Sequence, residues 1–188
     1  MSVALEAQVE GQAQWVYFNS HPGMGKVTIA KEYLKLHPEA KLIHNHLVID
    51  LCRNIYKQNS DPYNKLRVQV LDVVLQSLFE SNISCVFTGA HMAHNRLIPE
   101  IIEGFALSHN ISFTAIYLDC EEEEHMMRGQ GEDRVGKKLT SKDELMRIRA
   151  LDLYRFSGEK TKAIDIDVTK LTAEEAAKRL SEQICPSK

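Results

Sequence analysis

The chain has 188 residues, a formal net charge of −3, a mass of 21.4 kDa and a pI near 6.2. That length fits one α/β domain with a small insert, and 44% hydrophobic with 26% charged residues excludes wholesale disorder and fibrous classes. The slightly acidic balance argues against a dedicated nucleic-acid binder, which carries a basic face, but not against a small anionic ligand held by backbone dipoles.

The opening stretch MSVALEAQVEGQAQ has two Glu, no Lys or Arg and no apolar block, so it does not read as a secretory signal. Trp15–Asn19 (WVYFN) is an aromatic and β-branched run that ends at a glycine loop, the mark of a first strand. Lys26–Leu36 reads as a helix closed by His37-Pro38. Lys41–Asn45 is the second predicted strand. Asp61-Pro62 starts a helix, with Asp as N-cap and Pro at the first helical position. Leu66, Val70, Val74 and Leu78 then recur every four residues, with Leu71, Leu75 and Phe79 beside them, giving one buried face that ends near Asn82.

Ser84–Thr88 is the third strand, and Leu97, Ile98, Ile101, Ile102 and Phe105 mark the next helix. Ile111–Leu118 is the fourth strand and Ala163–Ile166 a short fifth. Ser141-x-x-Glu144 and Thr172-x-x-Glu175 are capping boxes that open two further helices. The run Glu121–Glu124 reads as a solvated helix start favoured by the helix dipole. Strands alternating with helices imply a parallel sheet covered on both faces, with ligands at the carboxyl ends of the strands. No stretch reaches the roughly 18–20 apolar residues of a membrane-spanning helix. The four cysteines (Cys52, Cys85, Cys120, Cys185) form no CxxC pair, so the cytosol is the expected compartment.

The first informative segment follows the first strand: Ser20-His21-Pro22-Gly23-Met24-Gly25-Lys26-Val27-Thr28, then a helix. It nearly matches G-x-x-x-x-G-K-[ST]. Gly23 and Gly25 let the backbone curl so that several N–H groups converge on one anion. The helix adds its positive dipole end, and Lys26 adds a mobile charge for β- and γ-phosphates. His21, Pro22, Gly23, Met24, Gly25, Lys26, Val27 and Thr28 are therefore the expected nucleotide-binding residues. Two positions depart from the pattern. Ser20 replaces the first glycine, and Val27 stands where a hydroxyl would ligate Mg²⁺, so any metal is expected near Thr28, held through phosphates and water.

The second segment is MMRGQGEDRVGKKLTSKDEL, from Met126. Arg128 and Arg134 lie among Gly129, Gly131 and Gly136, with Lys137 and Lys138 after them. Glycines let a segment swing, and arginines offer planar forks to phosphate oxygens. A flap over residues 126–140 would exclude water from a phosphoryl-transfer site.

In these motifs the chain resembles the shikimate kinase-like and chloramphenicol phosphotransferase-like branch of the P-loop small-molecule kinases, related to nucleoside monophosphate kinases. The matching segments are FNSHPGMGKVTIA, LIHNHLVID, CVFTGA and the lid pattern R-x5-R-x-GKKLT. The spacing Gly-Lys-x-Thr is similar to the Gly-Lys-Gly-Thr of adenylate kinases. The resemblance implies a single α/β domain with a five-stranded parallel sheet in the order 2-3-1-4-5 and a small lid. It also implies ATP and Mg²⁺ as cofactors, and phosphoryl transfer to a hydroxyl of a small molecule. It does not imply shikimate, because no convincing match to the aspartate and arginine set that holds shikimate is present.

In relatives the acidic residue that draws the acceptor's proton follows the second strand. Here that stretch offers Asn45, His46 and Asp50: His46 or Asp50 as base, Asn45 as a polar contact. Asp50 reads equally well as a cap of the helix that follows. After the third strand, Thr88 and Gly89 are expected to face the phosphates and the loop to Arg96 to line the acceptor pocket. No Asp closes that strand, consistent with a metal held indirectly. His91-x-x-His94, with His44 and His46, lacks the cysteines or carboxylates a zinc site would show. Asp119 and Asp167 follow the fourth and fifth strands, and in relatives the loop after the fifth wraps the adenine. A second reading stays open: a nucleotide-binding switch without a small-molecule acceptor.

Overall fold

All five residues of Trp15–Asn19 are buried, and a strand apolar on both sides needs a layer on each face. The computed structural model describes residues 12–130 and 141–185 and supplies those layers. In chain order the elements are β1 (Gln14–Asn19), α1 (Lys26–Leu36), β2 (Lys41–His44), α2 (His46–Arg53), α3 (Asp61–Glu80), β3 (Cys85–Gly89), α4 (Leu97–Ser108), β4 (Ser112–Asp119), α5 (Glu122–Gly129), α6 (Lys142–Arg149), β5 (Lys162–Asp167) and α7 (Ala173–Ile184). The strands form one parallel sheet in the order β2-β3-β1-β4-β5.

Alternation along the strands sorts side chains between two cores. Trp15, Tyr17, Phe87 and Phe113 face α3 and α4, meeting Leu71, Leu75, Ile98 and Ile102. Val16, Phe18, Ile116 and Leu118 face α1 and α7, meeting Ile29, Tyr33, Ala177 and Leu180. Trp15 is wholly buried, packs edge-on against Phe87, and donates its indole N–H to the Ile83 carbonyl at 3.1 Å. A polar tip on so large a buried ring needs such a partner.

Register places the site. Asn19 pairs with Gly89 on one side and Tyr117 on the other, His44 with Thr88, and Asp119 with Asp167. The carboxyl ends are therefore level, and every strand-to-helix loop leaves from one edge.

The five strands and their order agree with the expectation from sequence, and the boundaries differ for local reasons. β2 stops at His44 because Asn45 adopts helical angles and caps α2. Asp50 is therefore inside α2 and does not cap a following helix. Ser60, not Asp61, caps α3: it is extended and its hydroxyl accepts from the Tyr63 N–H at 3.4 Å, with Asp61 and Pro62 in the first turn. Thr172 and Glu175 complete their capping box, whereas Ser141 caps α6 without a side-chain hydrogen bond. Met126–Gly129 of the expected flap belong to α5, and residues 131–140, with Arg134, lie outside the described residues. Among the described residues no helix is long and apolar enough to cross a membrane.

The packing of α3 is directly testable. Leu75 is fully buried and Val73 is 69% exposed on the same helix. Leu75→Ala is expected to cost about 2–5 kcal/mol in urea unfolding, and Val73→Ala within about 0.5 kcal/mol of zero. Equal effects would contradict the assigned face.

Candidate phosphate loop and adjoining pocket

The turn from β1 into α1 needs glycine at two places. Gly23 has φ 102° and Gly25 φ 81°, both left-handed. A side chain on Gly23 would also press on His125, whose Nε2 would stand 3.0 Å from its Cβ, whereas Gly25 faces open space. Gly25 is the N-cap of α1 and supplies no side-chain cap, so the amides of the first helical turn are not satisfied by a capping group. Met24 points inward: it is fully buried, with its sulfur 3.2 Å from the Cys120 thiol. Lys26 Nζ donates to the carbonyls of Ser20 (3.4 Å) and His21 (3.2 Å), which keeps the ammonium folded over the loop. Val27 is half-buried and Thr28 exposed.

Two histidines strap this loop to α5 and to the segment after α6. His125 on α5 donates from Nε2 to the Pro22 carbonyl at 2.6 Å, and its Nδ1 accepts from Arg149 at 3.3 Å. Both contacts require the neutral ring with its hydrogen on Nε2. Burial holds His125 below the usual imidazole range, as it does His21, which donates from Nε2 to the Leu151 carbonyl at 2.9 Å. Arg149 donates to the Cys120 carbonyl at 2.7 Å and stands 3.6 Å from the largely exposed Asp119 carboxylate.

Arg128 is tied down as well. It pairs with Glu124 at 2.6 Å and donates to the Val168 carbonyl at 2.9 Å, joining α5 to the loop after β5. In that loop Asp167 accepts from the Thr169 amide (2.8 Å) and hydroxyl (2.6 Å), and those bonds hold its carboxyl below the usual range.

On the other side of the loop the ends of β1, β2 and β3 border a partly open pocket, with about 350 Å³ of empty space counting the solvent at its mouth. Its polar lining is Tyr17, His44, Asn45, Arg67 and Thr88. Asn45 and Thr88 are thus in the pocket, while His46 and Asp50 are exposed residues of α2 outside its lining, Asp50 being 3.3 Å from Arg53. His94 is exposed and His91 buried, and among the described residues no group of three or more His, Cys, Asp or Glu is placed to hold a metal ion.

Four residues that the sequence reading did not assign to this region stand out. Asn19, fully buried, accepts from the His91 N–H at 2.8 Å and donates to the carbonyls of His91 (3.0 Å) and Tyr154 (2.9 Å). His125 grips the loop and Arg149 holds His125, through contacts over long chain separations for which no local pattern exists. Arg67 had a signal: it stands one helical turn before Leu71 and two before Leu75, in register with the buried stripe.

Comparison with known proteins places this architecture. No family model and no curated protein matches the chain by sequence. Solved structures do match it. A sugar kinase from Janibacter sp. superposes with a TM-score of 0.59 at 15% identity, over 93% of this chain and 96% of that one. The tunicamycin resistance protein of Deinococcus radiodurans gives 0.61 at 12% identity, over 94% and 98%. A shikimate kinase from Bacteroides thetaiotaomicron gives 0.56 at 13% identity, over 91% and 98%. At such identities the likeness is one of fold, and the fold is the P-loop kinase-like one.

The buried imidazoles make stability pH-dependent. Burial lowers His21 and His125, and takes His91 to about 4. An unfolded imidazole gains its proton near pH 6.5, so below that value the unfolded chain binds more protons than the folded one. Stability is therefore full above neutral pH and falls as pH drops from about 6.5 toward 4. Urea midpoints should decline from pH 7 to pH 5, and less steeply in His125→Gln, which keeps a donor for Pro22 but does not titrate. A flat wild-type profile over that range contradicts the assignment.

Proposed function

We propose that the chain is an ATP-dependent phosphotransferase acting on a hydroxyl of a small molecule. The observation that carries this reading is the turn at Gly23–Lys26. Two left-handed glycines lead into a helix without a side-chain cap, and a lysine ammonium lies over the same turn. Backbone amides, helix dipole and ammonium all favour one anion there.

In this reading the amides from Gly23 to Thr28 and the Lys26 ammonium hold the β- and γ-phosphates. Lys26 already reaches back over the loop, so a small rotation brings its charge to the transferring group. His21, Pro22 and Met24 act through backbone and packing, with His125 fixing the Pro22 carbonyl at 2.6 Å. Arg128 and Asp167 shape the loop after β5 on the nucleoside side. Arg134 joins Arg128 as a proposed phosphate ligand. His46 and Asp50 stay outside the pocket lining, which leaves orientation of the hydroxyl to other groups.

The residues suit Mg²⁺ held by phosphate oxygens and water. Val27 offers no ligand, Thr28 is the nearest hydroxyl in the turn, and Asp119 is already beside Arg149. Bound there, the ion would neutralise charge on the transferring phosphates.

Lys26→Ala is expected to lower acceptor-dependent ADP release by at least about a hundredfold while leaving the circular dichroism spectrum unchanged. Full activity in that variant would end the assignment. A switch without acceptor would instead bind nucleotide and release ADP at a rate indifferent to every hydroxylated compound added.

A further inference from the structure

A buried histidine braces the glycine turn from behind. His125 on α5 is fully buried, and its ring lies against Gly23, where a Cβ would stand 3.0 Å from Nε2. Nε2 donates to the Pro22 carbonyl at 2.6 Å, and Nδ1 accepts from Arg149 at 3.3 Å. The Pro22 carbonyl and the Gly23 N–H belong to one peptide group. A stronger bond on that carbonyl therefore polarises the amide and strengthens its pull on an anion.

The charges around the ring come from four elements. Arg149 reaches it from α6 and opposes a proton there, as does His21 from the loop, with ring centres 6.4 Å apart. Asp119 at the end of β4 favours a proton on it. The neighbouring Cys120 thiol is turned to Met24. On α5, Glu124 and Arg128 pair with each other at 2.6 Å, and Glu121 at the N-cap is exposed. Lys26 acts on His21 and donates to the carbonyls of Ser20 and His21. Burial weighs most among the causes that keep the imidazole neutral.

A polyphosphate at Gly23–Lys26 would reverse that balance. Its negative charges would lie close to a ring removed from water, where charges interact strongly, and opposite charge favours the protonated form. The imidazolium keeps its Nε2–H on Pro22 as a charge-assisted bond, which is the stronger kind. Its Nδ1 becomes a donor and no longer accepts from Arg149. Arg149 has two other partners, the Cys120 carbonyl at 2.7 Å and the Asp119 carboxylate at 3.6 Å, so it can withdraw without losing every contact. The same carboxylate then serves as counter-charge to both cations.

We propose that nucleotide and proton bind together: when a triphosphate enters the glycine turn, His125 takes a proton from solvent, keeps its bond to Pro22 and releases Arg149. This rests on the phosphotransferase reading and adds a pH control to the same site. The sign follows from linkage. A group that holds its proton more tightly in the complex makes the complex more favourable as pH falls. Nucleotide affinity therefore rises toward acid pH while the stability of the fold declines, and a histidine with a structural role alone would not produce those opposite slopes.

The test follows the imidazole proton resonances of the full chain by NMR from pH 8 to pH 5, with and without saturating Mg·ATPγS. Calorimetry measures the Kd of the same nucleotide at pH 8 and pH 5.5. The His125 resonance is the one missing from His125→Gln, whose amide keeps a donor for Pro22. Nucleotide should raise its midpoint by about one pH unit. Wild-type affinity should gain about threefold between pH 8 and pH 5.5 relative to His125→Gln. Titration of the nucleotide itself is common to both proteins and cancels in that ratio. Arg149→Gln removes the cation facing Nδ1 and should raise the midpoint before nucleotide is added, which also identifies the resonance should His125→Gln not fold. A midpoint that nucleotide leaves in place or lowers, or the same pH dependence of Kd in wild type and His125→Gln, would overturn the proposal. Such a result with Mg·ATPγS bound ends only the proton linkage, whereas no Mg·ATPγS bound at any pH ends the phosphotransferase reading and the linkage with it.

Discussion

The carboxamide of Asn19 is the contact on which the arrangement of the site depends. β1 is the central strand, and its last side chain is buried where loops from three elements converge. Its three hydrogen bonds at 2.8–3.0 Å fix both polar groups of the His91 backbone and the carbonyl of Tyr154. A short amide fills that position without adding charge. It sets the loop after β3 against the segment after α6, and the glycine turn proposed to hold phosphates starts at the next residue. Moving Asn19 would move the loop and the pocket together.

The loop itself is stiffened from outside. Several of its groups are already engaged: the Met24 side chain in the core, the Pro22 carbonyl on His125, the His21 ring on the Leu151 carbonyl. Such preorganisation means that little rearrangement is needed when charge arrives. His125 is neutral in its observed contacts, and burial holds His21 below the usual imidazole range. The positive charge in the region therefore comes from Lys26, Arg128 and Arg149, while the imidazoles supply geometry.

Much of the fold was legible in the sequence, because long apolar periods report burial directly. The strands were found by their aromatic and β-branched runs, and α1 was read to the residue from its glycine start and His37-Pro38 end. The glycine turn was legible because left-handed backbone restricts residue choice. α2 is not legible as a separate helix: its Leu47 and Leu51 are exposed apolar residues, so its pattern does not report a core. For the same reason His46 and Asp50 read as residues of a loop after the second strand, whereas they lie on the exposed surface of α2. Arg67 was overlooked because its neighbours on the stripe are apolar and a single charge looks like noise. The grips made by Asn19, His125 and Arg149 join residues 24 to 135 positions apart and depend on side-chain direction, which periodicity does not carry.

The central claim is that the turn at Gly23–Lys26 holds a triphosphate. Calorimetric titration of the full chain with Mg·ATP and, separately, with AMP measures it most directly. The account predicts one saturable site for Mg·ATP and binding at least about tenfold weaker for AMP, which lacks the groups that amides and Lys26 would grip. No heat with Mg·ATP, or equal affinity for the two nucleotides, would contradict it.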